Sequence, residues 1–192
     1  MTTFADLGLS PKILKALELT NMTTPTPIQA QAIPHIMKGS DLMGLAQTGT
    51  GKTAAFGLPL LHRLLDIGHP PAPRHVRALV LAPTRELVSQ IAENFLTFTK
   101  GTAVKVTMVV GGASLNRQAD RLRKGSDVLV ATPGRLIDLL ERGADVSIKD
   151  AAGKTALDIA RLPAAAGPGG APPSTAAAAS RNAIIALLDA RK

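Results

Sequence analysis

The chain has 192 residues, a net charge of +8, 45% hydrophobic residues, 2% aromatic residues and no cysteine. This length is enough for one domain, whose core we expect to be aliphatic because tyrosine and tryptophan are absent. The lack of cysteine excludes disulfides, thiolate metal sites and cysteine nucleophiles. The first ten residues carry no signal-peptide pattern, and the longest uncharged stretch, 162–180, is broken by prolines. We therefore expect a cytoplasmic protein without a membrane segment.

Four short apolar runs alternate with helical patterns in the first 142 residues. The runs cover residues 41–46, 78–82, 104–110 and 127–131, and helical patterns cover 53–66, 86–98 and 116–124. Runs rich in Val and Leu are typical of strands that are covered on both faces. Their alternation with helices predicts an α/β fold with a parallel sheet and crossover helices.

The composition changes near residue 143. Residues 143–162 alternate polar turns with one helix-like segment, and residues 163–180 are rich in Pro, Ala and Gly, which is typical of a flexible insertion. A helical apolar stripe follows within 181–191. The sequence therefore predicts two parts, 1–142 and 143–192.

Residues 46–53, AQTGTGKT, follow an apolar run and open a helical pattern, as the Walker A motif does. Gly49 and Gly51 allow a tight turn whose amide N–H groups face an anion at the start of the helix. Lys52 would neutralise phosphate charge, and the Thr53 hydroxyl would ligate magnesium. The motif thus predicts phosphate binding. A plain glycine-rich turn is the alternative, since Ala46 replaces the first glycine of the general pattern.

Five short motifs together resemble those of DEAD-box RNA helicases. They are Phe4 with TPIQ at 26–29, AQTGTGKT at 46–53, PTREL at 83–87, the glycine pair 111–112, and TPGR at 132–135. Their order agrees with that of the family, over about residues 4–142. The resemblance implies a partial RecA-like P-loop domain, with ATP and Mg²⁺ as cofactors and single-stranded RNA as partner. The positive net charge is compatible with such a partner.

The resemblance also implies a set of nucleotide contacts. Gln29 can read the adenine edge, because its amide both donates and accepts, and Phe4 would pack behind the same pocket. Met22 stands where the family has an aromatic residue, and its thioether could still cover a ring. The residues expected to contact ATP are Phe4, Met22, Gln29, Gln47, Thr48, Gly49, Thr50, Gly51, Lys52 and Thr53. Lys52 and Thr53 would form a partial catalytic site, with Thr53 as the magnesium ligand.

The remaining motifs imply an RNA contact surface. The residues expected to hold the sugar–phosphate backbone are Pro83, Thr84, Arg85, Gly111, Gly112, Thr132, Pro133, Gly134 and Arg135. Backbone amides and arginines suit contacts that do not depend on base sequence. Taken singly, these residues also fit a helix cap, a turn after a strand and a solvated arginine.

Two family motifs are missing from this sequence, which contains no Asp-Glu dipeptide and no Ser-Ala-Thr segment. In the family, the acidic motif holds Mg²⁺ and positions the attacking water. We therefore do not expect this chain alone to hydrolyse ATP or unwind RNA. The strands that carry these motifs in the family lie beside the phosphate-loop strand. The loop is consequently expected to lack its usual neighbours in the sheet.

Residues 136–160 resemble an ankyrin repeat, with LIDLLERG at 136–143 and GKTALDIA at 153–160. This resemblance implies a short α-helical tail and a possible protein partner, while an unrelated amphipathic tail is the alternative. About one and a half repeats cannot bury a continuous core. Three interpretations stay open: a truncated ATP- and RNA-binding domain, a protein-interaction fragment, and a fused reading frame without a function of its own. The oligomeric state is not predicted.

Overall fold

The computed structural model describes residues 2–141, with the side chain of residue 141 left out. The elements, in chain order, are a 3-10 turn at Ala5–Leu7, α1 Pro11–Leu19, α2 Pro27–Met37, α3 Lys52–Ile67, β1 Val76–Leu81, α4 Arg85–Phe98, β2 Val106–Val109, α5 Leu115–Arg123, β3 Ser126–Ala131 and α6 Pro133–Glu141. The predicted second part, 143–192, with its ankyrin-like segment and its 163–180 insertion, lies outside the described residues.

The sheet has three parallel strands in the order β1-β3-β2. Helix α4 connects β1 to β2, and α5 connects β2 to β3, as crossover connections between parallel strands require. The α/β class with a parallel sheet and crossover helices is thus confirmed. Every residue of the central strand β3 is buried, since this strand has a neighbour on each side and helices on both faces.

Alternate side chains of β3 pack into two different hydrophobic cores. Val128 and Val130 belong to the larger core, which includes residues of α1, α3 and α4. Leu129 and Ala131 belong to the smaller core, which includes residues of α6. This division follows from the two-residue period of a strand. The cores are mainly aliphatic as expected, but Phe4, Phe95 and Phe98 are also buried in the larger one.

The predicted strand at 41–46 is wrong. Residues 41–47 form no strand, and the Leu45 side chain is 76% exposed. A strand needs a neighbour for its backbone N–H and C=O groups, and no strand among residues 2–141 pairs with this segment. The phosphate loop therefore follows a segment that is not paired with any strand within residues 2–141.

The strand β1 differs from the prediction that strands are covered on both faces. Val76, Leu79 and Leu81 are exposed, and β1 is an edge strand that pairs only with β3 in the described region. The strands predicted at 78–82, 104–110 and 127–131 and the helices predicted at 53–66, 86–98 and 116–124 begin and end within two residues of the observed elements, whereas α1 and α2 were not predicted. None of the helices within 2–141 has the length and hydropathy needed to cross a membrane.

Candidate nucleotide and RNA site

The phosphate loop turns at two glycines immediately before α3. Gly49 has φ +81° and Gly51 has φ +85°, a backbone region that glycine adopts without steric cost. A methyl group added at Gly51 would collide with the side-chain amide of Gln29, whereas one at Gly49 would meet no atom within 4 Å. Gly51 is therefore required both by its backbone conformation and by the close approach of Gln29.

Two residues at the start of α2 hold this loop. The Gln29 side chain is 1% exposed, and its Nε2 donates to the Gly51 carbonyl at 3.2 Å. Its Oε1 accepts from the Thr26 N–H at 2.9 Å. The Thr26 hydroxyl donates to the Thr50 carbonyl, also at 2.9 Å. The two residues thus connect α2 to the loop, and Gln29 keeps one N–H and one lone pair for a further partner.

Lys52 and Thr50 complete the inner contacts of the loop. The Lys52 ammonium donates to the Gln47 carbonyl at 2.9 Å and to the Ala46 carbonyl, and the Thr50 hydroxyl donates to the Gln47 carbonyl at 2.8 Å. Both carbonyl partners of Lys52 are neutral acceptors, which a phosphate oxygen would outcompete because it is charged. The donor set therefore fits a phosphate group.

The residues available for magnesium are fewer. Among residues 2–141, no group of three or more His, Asp or Glu side chains could hold a metal ion. Thr53, half-buried in the first turn of α3, offers one hydroxyl oxygen. Magnesium commonly keeps several waters and binds through nucleotide phosphates, so one protein oxygen is compatible with a metal that arrives with the nucleotide.

The other predicted nucleotide contacts have different environments. Phe4 is buried in the larger core, and Met22 is half-buried and packs against that core. Their side chains thus contribute to folding whether or not a nucleotide binds. Gln47 and Thr48 are exposed on the loop.

The predicted RNA contacts follow the three strands at one edge of the sheet. Parallel strands place their carboxyl ends together, and two backbone hydrogen bonds join the chain there. The Ala82 N–H donates to the Ala131 carbonyl at 3.0 Å, and the Thr132 N–H donates to the Val109 carbonyl at 3.1 Å. Residues 83–85, 111–112 and 132–135 therefore begin at neighbouring positions. We call this surface the RNA edge.

Arg85 lies against the glycine pair. A methyl group at Gly112 would be 2.5 Å from Arg85 Nη1, and one at Gly111 would be 3.3 Å from Nη2. The Arg85 guanidinium thus occupies the space beside the two glycines, where a side chain at either position would displace it. Thr84 caps α4 by accepting from the Leu87 N–H at 3.2 Å, so the helix-cap interpretation holds for this residue as well.

The TPGR segment begins α6, with Pro133 at the first helical position, where proline is favoured. The Arg135 side chain is only 12% exposed, and its Nε lies 3.5 Å from Asp138 Oδ2. This distance allows an ion pair, but the Nε makes no hydrogen bond within the described region. Arg135 is therefore a largely buried arginine and not the solvated residue of the alternative interpretation.

Sequence reasoning did not assign a role to Gln118, which is 5% exposed. Its Oε1 accepts from the Val110 N–H at 3.1 Å, and its Nε2 donates to the Val110 carbonyl at 3.0 Å. Gln118 thus fixes the chain immediately before the glycine pair. The available signal was its spacing from Leu115 and Leu122, which places a polar residue on the apolar side of α5. Thr26 was quoted within TPIQ but was not assigned a contact.

The family model for DEAD/DEAH box helicases matches residues 26–158. The chain belongs to this family. It is 48% identical over 147 residues to the ATP-dependent rRNA helicase RRP3 of Meyerozyma guilliermondii, an alignment that covers 77% of this chain and 30% of that protein.

Solved structures give the same result for the fold of this helicase-family chain. The yeast DEAD-box splicing factor Prp28 superposes with a TM-score of 0.67 at 39% identity, over 76% of this chain and 36% of that one. The ADP-bound RNA helicase Prp28 from Chaetomium thermophilum gives 0.67 at 44% identity, over 74% and 35%. The chain thus spans about a third of the length of these relatives. The described region corresponds to the N-terminal RecA-like domain of a DEAD-box helicase.

Proposed function

We propose that this chain binds ATP with Mg²⁺ at residues 47–53 and holds the backbone of single-stranded RNA at the RNA edge. We further propose that it does not complete ATP hydrolysis by itself. The observation that carries the proposal is the connection of Gln29 and Thr26 to the phosphate loop. These bonds hold the loop at the start of α3 although no described strand supports it.

ATP binding would use groups that are already aimed into the loop. The first-turn amides of α3 have no intrahelical partners and carry the positive end of the helix dipole. Lys52 would exchange the carbonyls of Ala46 and Gln47 for phosphate oxygens, and Thr53 would hold the metal with its hydroxyl. Bound Mg²⁺ would neutralise phosphate charge. Gln29 would use its remaining N–H and lone pair for adenine, with Phe4 packed behind the pocket and the Met22 thioether covering the ring.

RNA binding would use the neighbouring loops of the RNA edge. Arg85 offers several donors in a planar fork, and Gly112 and Gly134, which are exposed and have no side chain, would let a phosphate approach the backbone closely. Contacts of this kind depend on charge and spacing and not on base identity. We therefore propose sequence-independent binding that weakens as salt rises.

The proposed lack of turnover concerns this sequence acting alone. Phosphoryl transfer requires a held metal, an oriented water and stabilisation of the developing charge. The sequence offers no Asp-Glu dipeptide, and residues 2–141 contain no acidic cluster that could replace it. Lys52 and Thr53 supply only part of this machinery.

Binding of ATP is tested with the full chain, a fluorescent ATP analogue and Mg²⁺. Lys52→Ala is expected to weaken binding about tenfold or more, because a hydrogen bond to a charged group contributes about 1.5–3 kcal/mol. Lys15→Ala, which removes an exposed lysine of α1, is the control and should leave the affinity unchanged. Equal binding by the wild type and Lys52→Ala would refute the nucleotide site. Release of phosphate above background would refute the proposed lack of turnover.

Binding of RNA is tested with a labelled oligouridine at several salt concentrations. If Arg85 contacts one phosphate, Arg85→Ala should reduce the slope of log affinity against log salt by about 0.7. Lys12→Ala on α1 serves as the control and should keep the wild-type slope. Identical slopes for all three proteins would show that Arg85 does not contact an RNA phosphate.

A further inference from the structure

The open side of β2 forms a groove that neither the nucleotide site nor the RNA edge uses. This edge groove, about 500 Å³ in volume, runs between α4 and the C-terminal end of α5. The lining residues that matter here are Ala92, Leu96, Lys105, Met108, Arg121 and Lys124. The groove exists because β2 is an edge strand, paired only with β3 in the described region.

The backbone of β2 presents hydrogen-bonding groups to the groove. The Lys105 carbonyl accepts from Asp127 and Val128 of β3, and the Val109 carbonyl accepts from Thr132. Backbone groups of a strand alternate in direction, so those of Val106 and Met108 point to the open side. The backbone N–H and C=O of Val110, the next residue that points outward, are already bonded to the Gln118 side chain. Within the described region, the outward backbone groups open to a partner are therefore those of Val106 and Met108.

The two walls of the groove differ in chemistry. Val106 packs toward the larger core, so Val106 and Met108 share the α4 face of the sheet, where Ala92 and the 55% exposed Leu96 form an apolar wall. The opposite face carries the exposed cations Lys105, Arg121 and Lys124. Glu93 is the one acidic residue among the described residues that line the groove. The α4 wall is therefore largely apolar, with Ser89 and Glu93 as its polar residues, and the other wall is basic.

We propose that the edge groove binds an extended peptide of a partner protein, which adds a fourth strand beside β2. Side chains of a strand alternate between its two faces. A segment that alternates apolar and acidic residues would thus place its apolar side chains against Leu96 and Met108. Its acidic side chains would lie against Arg121 and Lys124. Backbone hydrogen bonds to Val106 and Met108 supply affinity, and the two walls supply specificity.

Charge favours an external acidic peptide over the rest of this chain. Residues 142–192 carry seven basic and four acidic residues, so their net charge has the same sign as the groove. RNA would satisfy the cations, but its backbone does not repeat the amide donors that the outward carbonyls need. Binding at this groove goes beyond the proposed ATP and RNA binding and requires neither.

The experiment measures fluorescence anisotropy of the full chain with a labelled peptide of sequence EVDLEVDL. A second peptide carries N-methyl groups on alternate backbone amides, which remove donors without changing charge. The first protein variant is Met108→Pro, because proline is tolerated on an edge strand where its nitrogen faces outward. The second is the double variant Arg121→Glu and Lys124→Glu, matched in charge by Lys12→Glu and Lys15→Glu on α1. Circular dichroism of each variant verifies that it is folded.

The proposal predicts saturable binding that weakens at least tenfold with the methylated peptide, with Met108→Pro and with the Arg121/Lys124 variant. The Lys12/Lys15 variant should bind like the wild type. Absence of binding at about 1 mM peptide would overturn the proposal, as would equal binding of the methylated peptide. If oligouridine displaced the peptide and depended on Arg121 and Lys124, the groove would be assigned to RNA instead. If Met108→Pro fails to fold, the methylated peptide still tests strand addition.

Discussion

Two buried glutamines hold the two halves of the candidate site, and the supports beneath them differ. Gln118 fixes the end of β2, a strand that is hydrogen-bonded to β3 along its length. Gln29 fixes the phosphate loop, which follows a segment that pairs with no described strand. The RNA edge therefore depends on the sheet, whereas the loop depends on α2, α3 and a few side-chain hydrogen bonds.

This difference indicates that the phosphate loop can adopt its turn without a paired strand before it. The loop keeps its left-handed glycines and its contact with Gln29 although residues 41–47 form no strand. The contacts that hold the loop in the described region come from α2 and its cap, through Gln29 and Thr26, and from Lys52. The stability of the two halves should nevertheless differ, because the sheet buries apolar side chains and the segment before the loop does not.

The largest expected effect is the difference in the free energy of unfolding between a leucine-to-alanine substitution in the sheet and one in the segment before the loop. Leu129→Ala on β3 should lower the free energy of unfolding by about 2–5 kcal/mol, because it leaves a cavity in a buried core. Leu45→Ala should change it by less than about 0.5 kcal/mol, because that side chain is 76% exposed. Urea denaturation of both variants measures the difference. A comparable loss in the two variants would show that residues 41–46 are packed in solution.

The second prediction concerns the glutamine of each half. Gln29→Ala and Gln118→Ala should each lower the free energy of unfolding by about 1–3 kcal/mol, since each removes two hydrogen bonds to partly buried backbone groups. Gln29→Ala should weaken ATP binding and leave RNA binding intact, and Gln118→Ala should do the reverse. Gln31→Ala, an exposed position on α2, is the control for truncation. If either variant weakened both ligands equally, the separation of the halves would be wrong.

A smaller effect is expected from the glycines of the loop. Gly51→Ala and Gly49→Ala both force alanine into a left-handed conformation, at a cost of about 1–2 kcal/mol each. Gly51→Ala should cost more, because its methyl group would collide with Gln29. Thermal unfolding of the two variants gives the comparison. A lower stability for Gly49→Ala would show that Gln29 does not approach the loop as described.

The smallest effect is expected at Asp6, whose contacts are local and exposed. The Thr3 backbone N–H, and then the Thr3 hydroxyl, donate to its carboxylate and hold the pKa of Asp6 below its ordinary value. A carboxyl whose folded pKa is lowered stabilises the fold above its unfolded pKa and loses this contribution as pH falls through the folded pKa. NMR titration of Thr3→Val should show the pKa of Asp6 moving up. An unchanged pKa would exclude the hydroxyl as a cause.

The sequence predicted most of the α/β arrangement because its helices and buried strands carry strong periodic patterns. The crossover helices began within one residue of their predicted starts, and the buried strand near 127–131 was located correctly. The run at 41–46 failed because local composition does not reveal whether a neighbouring strand exists. The exposed face of β1 was missed for the same reason, since position at the sheet edge is a property of the whole fold.

For the candidate site, the sequence indicated which segments lie together, and the binding roles of their residues stay predictions. Motif order indicated the loop and the RNA edge, and the structure brings the predicted RNA residues to one side of the sheet. The partners of individual side chains could not be predicted, because they depend on long-range packing. The bond from Gln29 to Gly51 joins residues that are 22 positions apart, and Gln118 was recognised only from its contact with Val110.

Hydrogen exchange with and without ATP and Mg²⁺ tests the central claim most directly. We predict slow exchange at residues 126–131 in both conditions, and rapid exchange at 41–46 without nucleotide. Residues 47–53 should become protected when ATP is added to the wild type but not to Lys52→Ala. Slow exchange at 41–46 without nucleotide, or a loop whose exchange does not respond to ATP, would contradict the account.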